Sequence, residues 1–527
     1  MTEEHLDLEE YEEPKSTIQK IILASSAGTM IEWYDFYIFG SLTTVIASKF
    51  YNTGTSLGDT IAWLLTFAIG FMVRPFGAVF FGRLGDIVGR KYTFFITMSL
   101  MGLCTFAVGI LPTQATIGML AGIILVILRV LQGLALGGEY GGAATYVAEH
   151  APHGKRGFYT SFIQITATFG LFLSLGVILA TKMSLTPEAF DAWGWRIPFL
   201  VSILLVGVSI YIRYSLRESP LYAKKKAAGQ LSKNPLVESF VNPVNLKWVI
   251  LALLGATMGQ GVVWYTGQFY ALFYIQKVFH VGLVDSNVIV AGALLAATPF
   301  FIFFGWLSDK IGRKSIILAG MLVAVLTWYP IYGLMAANAP SQYAASKDDV
   351  KNFAKAADAA KTVGDEVPTV AIPTVEGDPT QSEKVPVTQI KEGDPLNVKF
   401  EKFLFDYSGY NPFILAFCVF LQVFYVTMVY GPIAAFLVEL FPTKIRYTSM
   451  SLPYHLGNGV FGGLVPIVGL SLLSSTGNNY AGLWYPMVIT AVCFVIGAIF
   501  IKETFHIDIH KDESYADEAN AKKMRSV

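Results

Sequence analysis

Charged side chains are scarce in this sequence: Asp, Glu, Lys and Arg make up only 14% of its 527 residues, whereas a soluble domain carries about 25%. Hydrophobic residues make up 54%, and the mean hydropathy is +0.52. About 20 consecutive apolar residues span a bilayer as a helix, and the chain contains roughly a dozen such runs. The composition therefore excludes a soluble globular protein and predicts an all-α membrane protein.

Cysteine is almost absent as well. Cys104, Cys418 and Cys493 all lie within apolar runs, which argues against a disulfide framework and against zinc-type ligand spacing. The sequence has no Gly-x-x-x-x-Gly-Lys-Ser/Thr loop for phosphate, so ATP is not expected to be the energy source. It also shows no credible hydrolytic triad or cluster of metal ligands, so we expect no enzyme, no metal and no cofactor.

What the chain does contain is a ten-residue stretch that occurs twice. Gly82–Lys91 and Gly305–Lys314 both fit the pattern G-x-L-x-D-x-x-G-R-K, and each lies between two apolar runs. Both copies share two glycines where a chain can reverse tightly, together with a carboxylate and cations. One copy in a soluble protein would be an ordinary basic turn, whereas two copies at equivalent places predict two related halves.

The apolar runs predict twelve transmembrane helices, which we number in chain order. Helices 1 to 6 are expected at 18–48, 60–82, 92–111, 115–148, 158–181 and 195–214, and helices 7 to 12 at 248–279, 287–307, 315–337, 411–438, 449–474 and 482–501. The expected domains are a tail at 1–17, a first bundle at 18–216, a linker at 217–247, a second bundle at 248–502 and a tail at 503–527.

Lys and Arg are concentrated in the connections that follow helices 2, 4, 6, 8 and 10. By the positive-inside rule these connections and both termini are cytoplasmic. Met1–Pro14 is acidic and lacks the basic region of a signal peptide, so helix 1 is expected to be retained.

A second pair of similar segments supports the two halves. Glu149–Ser161 follows helix 4 and Glu439–Ser449 follows helix 10, and both end in Tyr-Thr-Ser. The extra residues of the second half lie at 338–409, a polar stretch that is predicted to be an external loop between helices 9 and 10. Its composition favours disorder or weak helix, and both a mobile loop and a small cap fit.

The repeated ten-residue stretch resembles the signature loop of the major facilitator superfamily, found there between helices 2 and 3 and again between helices 8 and 9. Five further segments resemble the metabolite:proton symporters of that superfamily: Glu32–Tyr37, Arg74–Gly77, Gly137–Tyr140, Gly194–Phe199 and Leu216–Pro220. That subfamily carries 2-oxoglutarate, citrate, shikimate, aromatic acids, proline and betaine. The resemblance implies two pseudo-symmetric six-helix bundles that work by alternating access.

Ionisable residues deep in a membrane span are costly, so each is a candidate functional residue. The first half contains five of them: Glu32, Asp35, Arg74, Arg129 and Glu139. Glu32 and Asp35 are three residues apart and are expected to share a helix face. We expect Glu32, Asp35 and Arg129 to handle the proton; the alternative is a static buried ion pair that fixes helix packing.

Arg129 begins the segment Arg129–Gly133, which resembles the R-x-x-Q-G motif of the superfamily, whose arginine is implicated in proton coupling. Arg74 and Arg129 are candidate ligands for a substrate carboxylate, although Arg74 could instead pair with an acid of helix 1. Further candidate substrate ligands are polar residues of the spans: Tyr34, Gln268, Gln422, Tyr425 and His455. For those in the second half the alternative is an interfacial aromatic residue or an ordinary polar contact between helices.

The charges of the paired turns predict a cytoplasmic gate that clamps the two bundles together in the outward-open state. Its expected members are residues at the cytoplasmic helix ends: Gly82, Asp86, Arg90, Glu139, Glu149, Asp309, Arg313 and Glu439. The alternative is that the cations merely orient the chain during insertion, but aspartate contributes little to that rule. Asp86 is therefore expected to engage the neighbouring half.

Together these features predict a transporter of the inner (plasma) membrane that takes up a small organic acid, such as a dicarboxylate, 2-oxoglutarate or a shikimate-like acid, with protons. The alternative is a proton symporter of proline or betaine, but the osmosensing members carry a long C-terminal coiled coil, and 503–527 has no apolar heptads. A channel is disfavoured because channels rarely need paired halves. The expected partners are the substrate, protons and the lipid bilayer, with no nucleic acid, and the chain is expected to be a monomer.

Overall fold

The computed structural model describes residues 15–52, 62, 66, 69–214, 218–279, 281, 283–339, 369–375, 378–386, 411–511 and 514–516. Apart from one hairpin, the elements in this part of the chain are helices. Nine helical stretches of the described residues are long and apolar enough to cross a membrane, and helices 1, 2 and 6 complete the twelve. The predicted all-α membrane fold is confirmed.

The first bundle contains helices 1 to 6, and two of its helix ends lie five residues from the prediction. The observed bounds are Lys15–Ser41 and Thr43–Phe50 for helix 1, Arg74–Ile87 for the last part of helix 2, Arg90–Ile110 for helix 3, Leu120–His150 for helix 4, Arg156–Gln164 and Thr166–Ser184 for helix 5, and Ile197–Tyr214 for helix 6. Helix 4 begins five residues later than expected because Gly118, with φ of 62°, follows a separate turn at Gln114–Ile117. Helix 2 extends to Ile87, so Gly82 and Asp86 are helical.

The second bundle contains helices 7 to 12, of which helices 7 and 11 are irregular. Helix 7 is built from Pro243–Ala252, Leu253–Thr257, Met258–Tyr265, Thr266–Tyr270 and Ala271–Lys277; the others are Leu283–Ile311, Arg313–Ala337, Pro412–Tyr430 with Ile433–Leu440, Arg446–His455 with Leu456–Gly462 and Leu464–Thr476, and Trp484–Phe500. The segments Leu253–Thr257, Thr266–Tyr270 and Leu456–Gly462 are π-helical, a local widening that is frequent at functional sites.

The connections carry little further structure. Two short helices, Pro220–Ala227 and Pro235–Phe240, lie in the predicted linker. In the predicted external loop, strand β1 (Thr369–Val375) pairs antiparallel with strand β2 (Asp378–Pro386). The expectation of disorder or weak helix is therefore wrong for this hairpin, while 340–368 and 387–410 lie outside the described residues.

The paired turns reverse the chain at one glycine each and not at two. Gly89 and Gly312 have φ of 137° and 105°, a backbone conformation that residues with a Cβ rarely adopt. A Cβ at Gly82 would lie 2.9 Å from Cα of Thr448, and one at Gly305 would lie 2.6 Å from the Gly157 carbonyl oxygen. Gly82 and Gly305 are therefore not turn residues; they allow the opposite bundle to approach the helix.

Glycines also bring helices 2 and 4 into backbone contact, as expected for small residues between membrane helices. A Cβ at Gly133 would lie 2.4 Å from the Gly70 carbonyl oxygen, and one at Gly137 would lie 2.2 Å from that of Arg74. The Cβ at position 137 would meet backbone atoms, which cannot rotate away. This close packing fixes the position of Arg74 relative to helix 4.

Gly137→Ala is expected to lower the melting temperature in detergent, because overpacking a tight contact costs about 1–3 kcal/mol. Gly176→Ala is the matched control: it lies within helix 5, and a Cβ there meets nothing within 4 Å. Thermal unfolding of both variants beside the parent checks the prediction. Equal melting temperatures for all three would show that helix 2 can move away from helix 4 at no cost.

Candidate functional site

A central cavity lies between the two bundles. Its walls are formed by residues of helices 1, 2, 4, 7, 10 and 11: Thr29, Glu32, Trp33, Arg74, Tyr140, Trp264, Tyr265, Tyr430, Tyr454, His455 and Asn458. Of the residues predicted from the sequence, Glu32, Arg74 and His455 are brought together here. The cavity thus combines one carboxylate, one guanidinium and one imidazole with six aromatic rings.

Aromatic contacts join the bundles around this cavity. Tyr140 of helix 4 stacks on Tyr454 of helix 11 with ring centroids 3.6 Å apart and an interplanar angle of 3°. The ring centroids of Trp33 in helix 1 and Trp264 in helix 7 lie 5.3 Å apart. Further along the same two helices, the rings of Phe36 and Phe269 lie 5.9 Å apart. Helices 1 and 7 therefore touch on the side of the cavity that faces away from the paired turns.

Arg74 is held within this aromatic surface. Its guanidinium carbon lies 4.3 Å from the centre of the Phe71 ring, and its side chain is 8% exposed. Its Nε has no hydrogen-bond partner among the described residues. A buried guanidinium with an open donor is suited to binding a carboxylate.

Asp35 and Arg129 lie outside the cavity walls. A hydrogen-bond chain connects them: Thr105 Oγ1 donates to Asp35 at 2.8 Å and accepts from Gln132 Nε2 at 2.8 Å, while Gln132 Oε1 accepts from Arg129 at 2.8 Å. Glu32 and Asp35, which were expected to share a helix face, contact different surroundings in this structure. At 3.6 residues per turn they are about 60° apart around helix 1, so Glu32 faces the cavity and Asp35 faces helix 3.

Four predicted substrate ligands also lie outside the cavity walls, namely Tyr34, Gln268, Gln422 and Tyr425. Tyr34 donates to the Pro198 carbonyl at 2.6 Å inside the first bundle, and Gln422 donates to the Cys418 carbonyl of its own helix at 3.4 Å. This conformation does not support their expected role. The polar groups of Tyr34 and Gln422 thus make contacts between and within helices.

We call the side of the molecule that carries the paired turns the basic face. There the Asp86 carboxylate accepts hydrogen bonds from the backbone N–H groups of Tyr447 and Thr448, at 3.3 and 2.8 Å, and from the Thr448 hydroxyl at 2.7 Å. These two residues begin helix 11 of the other bundle, so Asp86 binds the positive end of that helix dipole. Asp86 thus engages the opposite half.

A group of buried ion pairs surrounds Asp86, and we call it the first charge cluster. Arg90 lies 3.3 Å from Asp86 and 3.5 Å from Glu149, and Arg446 of the second bundle lies 2.8 Å from Glu149. All four side chains are fully buried. The cluster therefore crosses from one bundle to the other.

The second charge cluster repeats this arrangement with the bundles exchanged. Asp309 accepts from the backbone N–H groups of Gly157 and Phe158 at 2.9 and 2.8 Å, at the start of helix 5. Arg313 lies 2.7 Å from Asp309 and 3.1 Å from Glu439, and Arg156 of the first bundle lies 2.7 Å from Glu439. The two clusters hold the basic face closed.

Arg156 and Arg446 were not predicted as members of these clusters, although both stand in the second pair of repeated segments. Glu218 and Glu503 were not predicted either. Glu218 accepts from the Arg90 N–H at 3.2 Å, and Glu503 accepts from the Arg313 N–H at 2.7 Å. The signal was a third repeat, Glu218-Ser219 after helix 6 and Glu503-Thr504 after helix 12.

Glu139, expected in the gate, accepts a hydrogen bond at 3.1 Å from Thr97 of helix 3 in its own bundle.

The described part of the C-terminal tail contacts both bundles. The Ile507 carbonyl accepts from Arg156 at 2.7 Å, and Tyr515 stacks on Trp248 with centroids 5.2 Å apart. The tail therefore contacts both halves at the basic face.

Two six-helix bundles with a polar cavity between them are the architecture of a multi-pass membrane transporter. The sequence matches the family described as "Sugar (and other) transporter" over residues 20–347. The match covers more than half of the chain. The chain therefore belongs to this family, within the major facilitator superfamily of metabolite transporters.

Known relatives agree with that assignment. The chain is 30% identical to the inner membrane metabolite transport protein YhjE of Escherichia coli, over 95% of this chain and 98% of the relative. It is 35% identical to the shikimate transporter of the same organism, over 60% and 72%. It is 32% identical to the proline/betaine transporter of Salmonella typhimurium, over 61% and 65%.

Among solved structures, the proton:xylose symporter XylE bound to 6-bromo-6-deoxy-D-glucose matches with a TM-score of 0.64, covering 94% of this chain and 98% of that chain. The two sequences are 15% identical, so this likeness shows the fold alone. It supports the twelve-helix architecture independently of the sequence comparisons.

Proposed function

We propose that this protein is a proton-coupled symporter of the inner membrane that takes up a small organic acid. The observation that carries the proposal is Arg74, whose buried guanidinium lies in an enclosed cavity between the bundles. A planar guanidinium matches a carboxylate with two parallel hydrogen bonds. The acid would bind at Arg74 with its apolar part against the aromatic walls.

The proton would be carried by Asp35, with Glu32 as the carboxylate closest to the substrate. Asp35 is 5% exposed and receives one hydrogen bond, from Thr105. A buried carboxylate with so few donors is held neutral more easily than one that is paired with a cation. The chain through Gln132 to Arg129 offers a route by which its protonation could reach helix 4.

The two charge clusters would form the gate on the cytoplasmic side, where the basic face would lie. Each aspartate binds the first N–H groups of a helix in the other bundle, so the contacts break together when the bundles rock apart. Their buried arginines would then be exposed to water. Opening of the basic face would release substrate and proton to the cytoplasm.

Uptake of a zwitterion such as proline or betaine is the second candidate function. The aromatic rings of the cavity, two on the first bundle and four on the second, favour it, because cations bind over the faces of Trp and Tyr rings. Glu32 could balance the positive charge while Arg74 binds the carboxylate. Relatives of both kinds are known, so the choice requires an experiment.

Binding should be tested first by thermal shift in detergent with shikimate, 2-oxoglutarate, citrate, proline and glycine betaine. At least one carboxylic acid is expected to stabilise the parent protein, and Arg74→Lys should weaken that binding about tenfold or more, since lysine keeps the charge but loses the two-pronged geometry. Arg83→Lys, an exposed change on the same helix, is the matched control. Stabilisation by betaine alone would select the second candidate.

Coupling should be tested in proteoliposomes with a pH gradient imposed across the membrane. The ligand found above is expected to accumulate when the outside is acidic and to fall to equilibration when a protonophore collapses the gradient. Accumulation that follows sodium and ignores pH would overturn the proton coupling and leave the transporter assignment in place.

A further inference from the structure

Three polar atoms of the cavity walls are buried without a hydrogen-bond partner among the described residues. They are Arg74 Nε, Trp264 Nε1 and His455 Nε2, on side chains that are 8%, 3% and 3% exposed. Leaving a buried polar atom without a partner is costly. Three such atoms around one cavity indicate that a bound ligand supplies the partners.

The chemical character of each atom follows from its side chain. Arg74 Nε and Trp264 Nε1 each carry a hydrogen and can only donate. His455 is different, because its ring lies beside the backbone of Gly137 across the bundle interface. The N–H of Gly137 belongs to the internal ladder of helix 4, so the partner is the carbonyl oxygen, which accepts.

That contact determines the tautomer of His455. The ring nitrogen that faces the Gly137 carbonyl must carry the hydrogen, which leaves Nε2 of the neutral imidazole with a lone pair. Beside the Glu32 carboxylate, the cavity therefore presents two open donors, one on each bundle, and an open imidazole acceptor on the second bundle. The two donors fit a carboxylate, while the acceptor requires a ligand group with a hydrogen to donate.

We propose that the substrate is a carboxylic acid that also carries a hydrogen-bond donor, a hydroxyl or an N–H group, and that His455 is the residue that selects for this donor. The inference rests on the proposed function, since it takes Arg74 as the carboxylate ligand. It favours hydroxy acids and amino acids with a free N–H. It disfavours quaternary betaines and oxo acids, which have no such hydrogen.

The preference follows from the cost of an unmet partner. A ligand without the donor would bind at Arg74 and still leave His455 Nε2 buried and open, which is the situation in which sites discriminate most strongly. A ligand with both groups would instead bond to both bundles at once. It would therefore also favour the closed conformation described here.

Two pairs of ligands that differ in the donor test the inference on the parent protein. Proline is compared with N,N-dimethylproline, and shikimate is compared with cyclohexene-1-carboxylate. The quantity compared is the ligand concentration that gives half of the maximal rise in melting temperature. The member with the donor is expected to bind at least about tenfold more tightly in the pair that the cavity accepts. Equal binding within each pair would overturn the inference without requiring any variant.

Substitutions then assign the effect to His455. In His455→Phe the ratio of affinities within a ligand pair should fall to near unity, because only the donor-bearing ligand loses affinity. In His455→Gln part of that ratio should remain, because the amide oxygen of glutamine can accept the hydrogen bond. His150→Phe is the matched control, since His150 is also 94% buried on a helix, with Nδ1 2.7 Å from the Tyr146 carbonyl oxygen, but lies outside the cavity walls.

Other outcomes separate this inference from the proposed function. If His455→Phe weakens 2-oxoglutarate as much as shikimate, His455 acts as a cation and the inference is wrong. If 2-oxoglutarate binds and accumulates while shikimate and proline do neither, the inference also fails but acid symport stands. If no carboxylic acid binds or accumulates, the proposed function fails as well.

Discussion

Asp35→Asn is expected to abolish accumulation of substrate against its gradient while leaving substrate exchange intact. A gradient of one pH unit supplies about 1.4 kcal/mol per proton, enough for roughly tenfold accumulation by one-proton symport. Asparagine keeps the size of the side chain and can accept from Thr105, but it cannot take up a proton. The measurement is the ratio of internal to external labelled substrate in proteoliposomes, beside counterflow without a gradient.

Thr105→Val is the matched control for this prediction. It removes the hydrogen bond that Asp35 receives at 2.8 Å but leaves the carboxylate, so accumulation should persist with a changed dependence on pH. Tenfold accumulation by Asp35→Asn would remove Asp35 from the coupling mechanism. If the Glu32→Gln variant then failed to accumulate substrate, Glu32 at the cavity wall would be the residue that carries the proton.

Glu439→Gln is expected to open the basic face. Its carboxylate binds Arg156 at 2.7 Å and Arg313 at 3.1 Å, and these side chains are at most 1% exposed. Removing one partner of a buried ion pair costs about 3–5 kcal/mol, and more than 2.7 kcal/mol corresponds to over a hundredfold in an equilibrium constant. Opening would return both arginines to water, so the variant should shift towards the open state and lose most of its uptake.

Alkylation of Ser161→Cys measures that shift. Ser161 is fully buried against Gly305 of the other bundle, and the three native cysteines are buried, so the background should be low. Glu439→Gln is expected to speed labelling at least tenfold.

Glu149→Gln should behave like Glu439→Gln, because Glu149 occupies the corresponding place in the first charge cluster. Lys444→Gln is the control: it breaks an ion pair with Glu238 in which the side chains are 42% and 32% exposed, and exposed pairs are worth at most about 1 kcal/mol. Unchanged labelling and uptake in both glutamate variants would leave the charges with a role in membrane insertion only.

The architecture was predictable because its signals are local. Spans follow from runs of apolar residues, and the two halves follow from Gly82–Lys91 and Gly305–Lys314, which can be compared directly in the sequence. Arg74 and Glu32 were predictable as site residues because a charge within a span is costly wherever it lies. None of these conclusions required knowledge of which helices are neighbours.

The directions of side chains were harder to predict. Tyr34 and Glu32 are two residues apart on helix 1, yet Tyr34 bonds to Pro198 inside the bundle and Glu32 lines the cavity. The sequence offers both as polar residues of one span. Their separation depends on how helix 1 is rotated against helices 5, 6 and 7, which is decided by packing over the whole bundle.

The sequence by itself therefore determined that this chain spans a membrane twelve times in two related halves, with charges deep in the spans of the first half and a charged turn in each half. Only the tertiary structure decided the partners of those charges: Glu149 binds Arg446, 297 residues away, and Glu439 binds Arg156, 283 residues away. The physical reason is that a carboxylate binds any cation within about 4 Å. Docking of the bundles determines which cation that is, and a linear pattern does not encode it.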